Sequence, residues 1–294
     1  MNIQWFPGHM AKARREISEN LSRVDVVVEI ADCRVPLSSR NSELLELVEE
    51  KEKPHLLVLN KSDLADETQT AKWVEYYEQA GIVAVPAFCI GLAVNDGFQQ
   101  LKKKLAELAQ AKKERDRARG MHGRTIRIMV MGIPNVGKSA FINKFSGRGT
   151  METGARPGVT RRQQWIKIGK DYELLDTPGV LLPKLEEERA ALALAWTGAI
   201  KDEVYDTIGS AAALCEFLRD NYEANLRERY KLTGELGEIG HDILLQIGRK
   251  RGCIVSGGEV DDFRAAGLVL DELRNGKIGR VTAEWVGEIL TGKP

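Results

Sequence analysis

Residues 132–139 read Gly-Ile-Pro-Asn-Val-Gly-Lys-Ser, a complete GxxxxGK[ST] pattern, and no other stretch restricts the fold as much. The octet follows the strand-like run 126–131 and opens a helical pattern at Lys138, so a strand must hand over to a helix there. Glycine lets the backbone wrap an anion, and successive amides with the helix N-terminus bind phosphate groups. Asn135, Val136, Gly137 and Ala140 fall in that cradle. Lys138 is placed to reach the β- and γ-phosphates of a nucleotide, and Ser139 to hold Mg²⁺.

A phosphate loop of this kind needs a parallel sheet around it, and the first two-thirds of the chain supplies the pattern. Short β-branched runs at 24–31, 55–60, 82–87, 126–132, 163–168 and 172–175 alternate with helical periodicity at 42–52, 68–80, 97–111 and 138–145. This predicts an α/β fold with about six mainly parallel strands. The charged stretch 112–120 has no apolar stripe and reads as a helix tail running into an exposed linker. After Pro183 the strand signal stops. Helical patterns at 186–197, 210–219, 223–230, 238–250, 259–275 and 282–290 predict a small all-α domain, giving domains 1–183 and 184–294.

Composition excludes more than it selects. The 294 residues suffice for a real core, and 43 basic against 43 acidic residues leave no net charge to signal a partner. No apolar run approaches 18 residues, so no membrane span is expected. The start of the chain lacks a hydrophobic signal core, which predicts a cytoplasmic location. Cys33, Cys89, Cys215 and Cys253 are far apart without a CxxC, and read as buried free thiols.

Two further motifs complete a nucleotide site. Asp176-Thr177-Pro178-Gly179 ends a strand, which suits Asp176 near Mg²⁺ through water and the Gly179 amide near the γ-phosphate. Thr160, between this motif and the phosphate loop, is the natural switch threonine for Mg²⁺. Asn60-Lys61-Ser62-Asp63 follows the strand at 55–60. A carboxylate such as Asp63 accepts two hydrogen bonds from guanine, and adenine has no matching donor pair. The stem of Lys61 can lie along the base plane. The nucleotide read from these residues is GTP or GDP.

The order of these motifs is unusual. In ordinary GTPases the phosphate loop precedes NKxD, whereas here NKSD at 60–63 comes first and DTPG at 176–179 last, as in a circular permutation. Residues 112–120 look like the new join. The switch segment after Gly179 then runs straight into the helical domain, so nucleotide state could pull on that domain. The set WFPGHMAKARRE, NKSD, GIPNVGKS, RPGVT and DTPGV in this order resembles the bacterial ribosome biogenesis GTPase A family. The likeness continues through Thr197-Gly198-Ala199-Ile200-Lys201-Asp202 and Lys250-Arg251-Gly252-Cys253.

That resemblance implies a factor that binds the large ribosomal subunit late in assembly and leaves upon GTP hydrolysis. It also implies a role for His9 on the attacking water. Many GTPases place a Gln after DxxG for that task; here the position is Val180, which cannot orient water. Asn135, by the same resemblance, is a candidate K⁺ ligand beside the phosphates. After the strand at 82–87 a base-supporting Ser-Ala-Lys would be expected, but the residues are Phe88-Cys89-Ile90. Phe88 and Cys89 are therefore assigned base contacts through their backbone.

Charge is segregated locally. From Lys102 to Arg127 there are ten basic residues against three acidic ones, and the N-terminal stretch adds Lys12, Arg14 and Arg15. This suits contact with an rRNA backbone, together with ribosomal proteins. No aromatic RNA-recognition motif is present, so shape and backbone contacts are expected over base reading. The chain is expected to act as a monomer. Two other readings stay open at this point: a GTP-dependent latch with little turnover, and a GTPase acting on a protein partner.

Overall fold

The computed structural model describes residues 7–87, 97–120, 125–147, 164–177, 179 and 188–291. Six strands form one sheet: β1 (Val26–Asp32), β2 (His55–Asn60), β3 (Val83–Pro86), β4 (Ile126–Met131), β5 (Gln164–Ile168) and β6 (Tyr172–Asp176). Their spatial order is β3-β2-β1-β4-β6-β5, parallel throughout except for β5, which pairs antiparallel with β6 at the edge. The strands agree with those read from the sequence within two residues at each end.

Strand periodicity decides which helices cover which face. Val26, Val28 and Ile30 of β1 share a core with Ile126, Ile128 and Val130 of β4, beneath α4 (Phe98–Ala118) and α5 (Lys138–Ser146). The alternate residues Val27, Met129, Met131 and Leu175 meet Ile17 and Leu21 of α1 (Pro7–Leu21), with Leu44 and Leu47 of α2 (Ser42–Glu50). Further along that face, α3 (Glu67–Gln79) buries Trp73 and Tyr77 against Leu57 and Leu59. Burying each such large side chain contributes about 1.5–3 kcal/mol. Asn41 and Asp66 cap α2 and α3 by accepting from backbone amides three residues on, at Leu44 and Gln69.

Most of the stretch 112–120 is helix tail, as expected, and only its last two residues leave the helix. Helix α4 continues to Ala118, because Asp116 is buried and held by Lys112 one turn back, and the Lys112 ammonium also faces Asp25. The apolar stripe ends at Ala109, and this ion pair carries the helix two turns further.

The C-terminal third is helical: α6 (Glu188–Trp196), a 3₁₀ turn at Asp202–Val204, α7 (Thr207–Tyr230), α8 (Gly240–Arg251), α9 (Asp262–Arg274) and α10 (Val286–Thr291). Sequence periodicity placed separate helices at 210–219 and 223–230; the two run together as α7 across a kink at Tyr222 (φ −140°, ψ 41°). Glu272 of α9 is nearly buried and ties the bundle by pairing with Arg229 of α7 and Arg251 of α8. The expected boundary at 183/184 lies outside the described residues. The apolar core of the helices is continuous with that under α4 and α5. Cys33, Cys215 and Cys253 are buried free thiols, and Cys89 lies outside the described residues. Among those residues, no helix is long and apolar enough to cross a membrane.

Candidate guanine-nucleotide site

The motifs converge at the carboxyl ends of β2, β1, β4 and β6, where open α/β sheets place their ligands. In the phosphate loop three residues take left-handed backbone: Gly132 (φ 150°), Asn135 (φ 61°) and Gly137 (φ 99°). Glycine is required twice by close approach. A Cβ on Gly132 would lie 2.4 Å from the Ile30 carbonyl, and one on Gly137 would lie 2.2 Å from Asn60 Nδ2. Asn60 uses that nitrogen to donate to the Val136 carbonyl at 2.6 Å, which fixes the base loop to the phosphate loop.

Lys138 is buried, and its ammonium donates to the Gly132 and Ile133 carbonyls at 3.0 and 2.8 Å. Burial pulls its pKa down to about 8, with the Asp176 carboxylate acting the other way. Asp176 is fully buried, and the neighbouring Thr177 hydroxyl donates to Val130 O at 2.7 Å, locking the end of β6 against β4. Gly179 lies directly against this loop: a Cβ there would sit 2.8 Å from Lys138 Nζ and from Pro134 N. Ser139, at the start of α5, is half-buried. The Ser139 hydroxyl and Asp176 carboxylate, on the two elements beside Lys138, are oxygen donors of the kind hard divalent cations take.

The base loop is built around Lys61, whose φ of 61° is uncommon for a residue with a side chain. Two bonds compensate. Its ammonium donates to Asn135 O at 2.7 Å and to Asp32 Oδ2 at 2.8 Å. Ser62 N donates to Ala87 O at 3.2 Å, joining the loop to the end of β3, while Asp63 stays exposed. Phe88, Cys89, Thr160 and Val180 lie outside the described residues. His9 falls on α1, but its side chain also lies outside them.

The structure adds residues that the motif search missed. Asp32 ends β1 and is buried together with Arg34, which grips its carboxylate through Nε at 2.9 Å and Nη2 at 2.8 Å. A carboxylate closing a mostly apolar strand, two residues before an arginine, was the available signal. The helical region also reaches both loops. Asn135 Nδ2 donates to Gly198 O at 2.6 Å. At the base loop, Val281 N donates to Leu64 O at 3.0 Å and Asp66 N to Thr282 Oγ1 at 3.1 Å.

Comparison with known proteins agrees with this geometry. A family model described as 50S ribosome-binding GTPase matches residues 127–233. The ribosome biogenesis GTPase A of Bacillus cereus is 45% identical over 284 residues, covering 97% of this chain and 94% of that protein. Its namesake in Thermotoga maritima is 31% identical, covering 96% and 94%. The GDP-bound structure of the T. maritima protein YlqF superposes with a TM-score of 0.66 at 26% identity, over 93% of this chain and 100% of that one. The form titled GNP-bound gives a TM-score of 0.63 at 27% identity, over 93% and 98%. A phosphate loop that follows its base loop in sequence yet meets it in space is a circularly permuted GTPase fold, and by sequence and architecture alike the chain belongs to the ribosome biogenesis GTPase A family.

Proposed function

We propose that this chain is a GTP-hydrolysing assembly factor that binds the large ribosomal subunit late in its maturation and is released on hydrolysis. The observation that carries the reading is the double attachment of the nucleotide loops to the helical region. Asn135 of the phosphate loop bonds Gly198, and the base loop bonds Val281 and Thr282. A change at either loop is therefore passed to the helices without an intermediary.

In this reading Lys138 swings from its two carbonyls onto the phosphate chain, and the amides of Val136, Gly137, Ser139 and Ala140 line the cradle. Asp63 accepts from the guanine edge, and the Phe88-Cys89 backbone supports the base. Magnesium, when bound, would neutralise developing charge on the phosphates, held by Ser139, Thr160 and, through water, Asp176. Asn135 commits its amide nitrogen to Gly198, leaving Oδ1 as the group that could accept a potassium ion. His9, near the start of α1, orients the attacking water in place of Val180.

The rRNA backbone is met by α4, where Lys102, Lys103, Arg115, Arg117 and Arg119 are exposed. The helical region 184–294 supplies further ribosomal contacts, and the factor works as a cytoplasmic monomer. The test is GTP turnover in potassium buffer, with and without purified large ribosomal subunits. Strong stimulation, lost in His9→Ala, supports the reading. Tight GTP binding with no stimulation refutes it and favours a latch.

A further inference from the structure

Three buried or half-buried charges lie behind the base loop. Asp32 and Arg34 have side chains only 3% exposed, and Lys61 beside them is 19% exposed. Burying three charges is costly unless each is fully bonded. Here the bonding is complete at the carboxylate. Asp32 Oδ1 accepts from Arg34 N at 3.0 Å and from Arg34 Nε at 2.9 Å. Its Oδ2 accepts from Arg34 Nη2 and Lys61 Nζ, both at 2.8 Å.

The backbone holding this carboxylate is itself pinned. Asp32 N donates to Ser39 Oγ at 2.9 Å, and β1 lies in register between β2 and β4, with Asp32 opposite Asn60. Burial favours the neutral acid, but Arg34 and Lys61 outweigh it and hold the carboxyl far below the usual carboxylate range. Asp32 is thus a fixed anion. Among the described motif residues of the nucleotide site, it bonds Lys61.

We propose that Asp32 is a positioning residue for guanine-nucleotide binding, fixing the Lys61 side chain between β1 and the phosphate loop so that its stem lies under the base. Arg34 serves as the counterion that keeps Asp32 charged, and it reaches the last turn of α9 at Leu273 O, 3.4 Å away. Without Asp32, the Lys61 ammonium keeps one anchor, Asn135 O, and its left-handed backbone loses half of its compensation.

This inference rests on the reading of residues 60–63 as the base loop, so that reading is tested separately. In the full-length protein, GDP affinity is measured for Asp32→Asn, Lys61→Met and the double variant, with melting temperature alongside. If Asp32 acts through Lys61, each single change weakens GDP about tenfold and the double change weakens it no further. Losses that multiply to about a hundredfold, or GDP binding by Asp32→Asn at the parental affinity, overturn the proposal. If Asp32→Asn does not fold, Asp32→Glu keeps the charge but moves the carboxylate by one methylene. It should bind GDP more weakly, and adding Lys61→Met should then bring it to the affinity of Lys61→Met alone. An additive result with Asp32→Glu overturns the proposal equally. Asp63→Asn should shift preference from guanine to xanthine nucleotides. Failure of that shift would sink the base-loop assignment itself, whatever the cycle shows.

Discussion

Asn135 Nδ2 lies 2.6 Å from the carbonyl oxygen of Gly198, so a phosphate-loop side chain ends on the turn that follows α6. Gly198 adopts φ 77°, and a Cβ there would come within 3.2 Å of Arg274 Nε. Arg274 in turn donates to Ala195 O at 2.9 Å and pairs with Asp202 at 2.6 Å. The phosphate loop thus bonds directly to a turn that is already braced by α9.

Asn135→Ala removes that bond. Chemical denaturation should show a loss of about 1 kcal/mol. If Asn135 also serves potassium, the variant should turn over GTP equally in KCl and NaCl while the parent prefers KCl. A parent indifferent to the cation would remove the potassium role and leave the structural one.

Asp63→Asn tests base selection. The amide presents a donor where guanine also presents donors, and it suits the extra carbonyl of xanthine. GTP affinity should fall by at least about a hundredfold, with xanthosine triphosphate restoring binding. Competition with fluorescent nucleotides measures both.

Lys138→Met separates function from stability. The ammonium has a folded-state pKa of about 8 against an ordinary 10.5, because burial disfavours its charge. The protonated form is therefore penalised below pH 8, and the penalty is relieved as pH rises from about 8 to 10.5. Without nucleotide, the variant should be more stable than the parent by up to about 3 kcal/mol at pH 7, an advantage that shrinks across that window. Nucleotide binding should be abolished. A variant less stable than its parent at pH 7 would contradict the burial penalty.

Glu284 gives a second pH signature. Its carboxylate accepts from Leu37 N at 2.7 Å and Ser38 N at 3.1 Å, yet burial outweighs these bonds and raises its pKa above the ordinary 4.5. Stability that is present below pH 4.5 is lost as pH rises through the folded value. Glu284→Gln keeps an acceptor without the charge, so its melting temperature should gain on the parent's over that rise. Glu284→Ala, which removes the acceptor of two part-buried amides, should cost about 1 kcal/mol.

Much of this architecture was legible in the sequence because local rules and the global fold agree. The nearly continuous apolar run in Val26–Asp32 reports a strand covered on both faces, and the phosphate loop fixes what must precede and follow it. What was not legible depends on pairing across large sequence separations. Nothing near Asn135 announces Gly198 as its partner, and nothing near Leu64 announces Val281. The extension of α4 past its apolar stripe was legible as a helix tail, but not where it stops, since its end rests on one buried ion pair, Lys112 with Asp116, rather than on periodicity. Asp32 and Arg34 were visible as letters, but their burial was not, and burial is what makes them informative.

The bonds from Val281 and Thr282 to the base loop bear on how the protein is made. A growing chain that has released its phosphate loop at residues 132–139 still lacks the strut behind Leu64 and Asp66 until residues 281 and 282 emerge. That strut is therefore completed only at the end of synthesis, not midway. A product that stops short of residue 281 would lack both of these bonds.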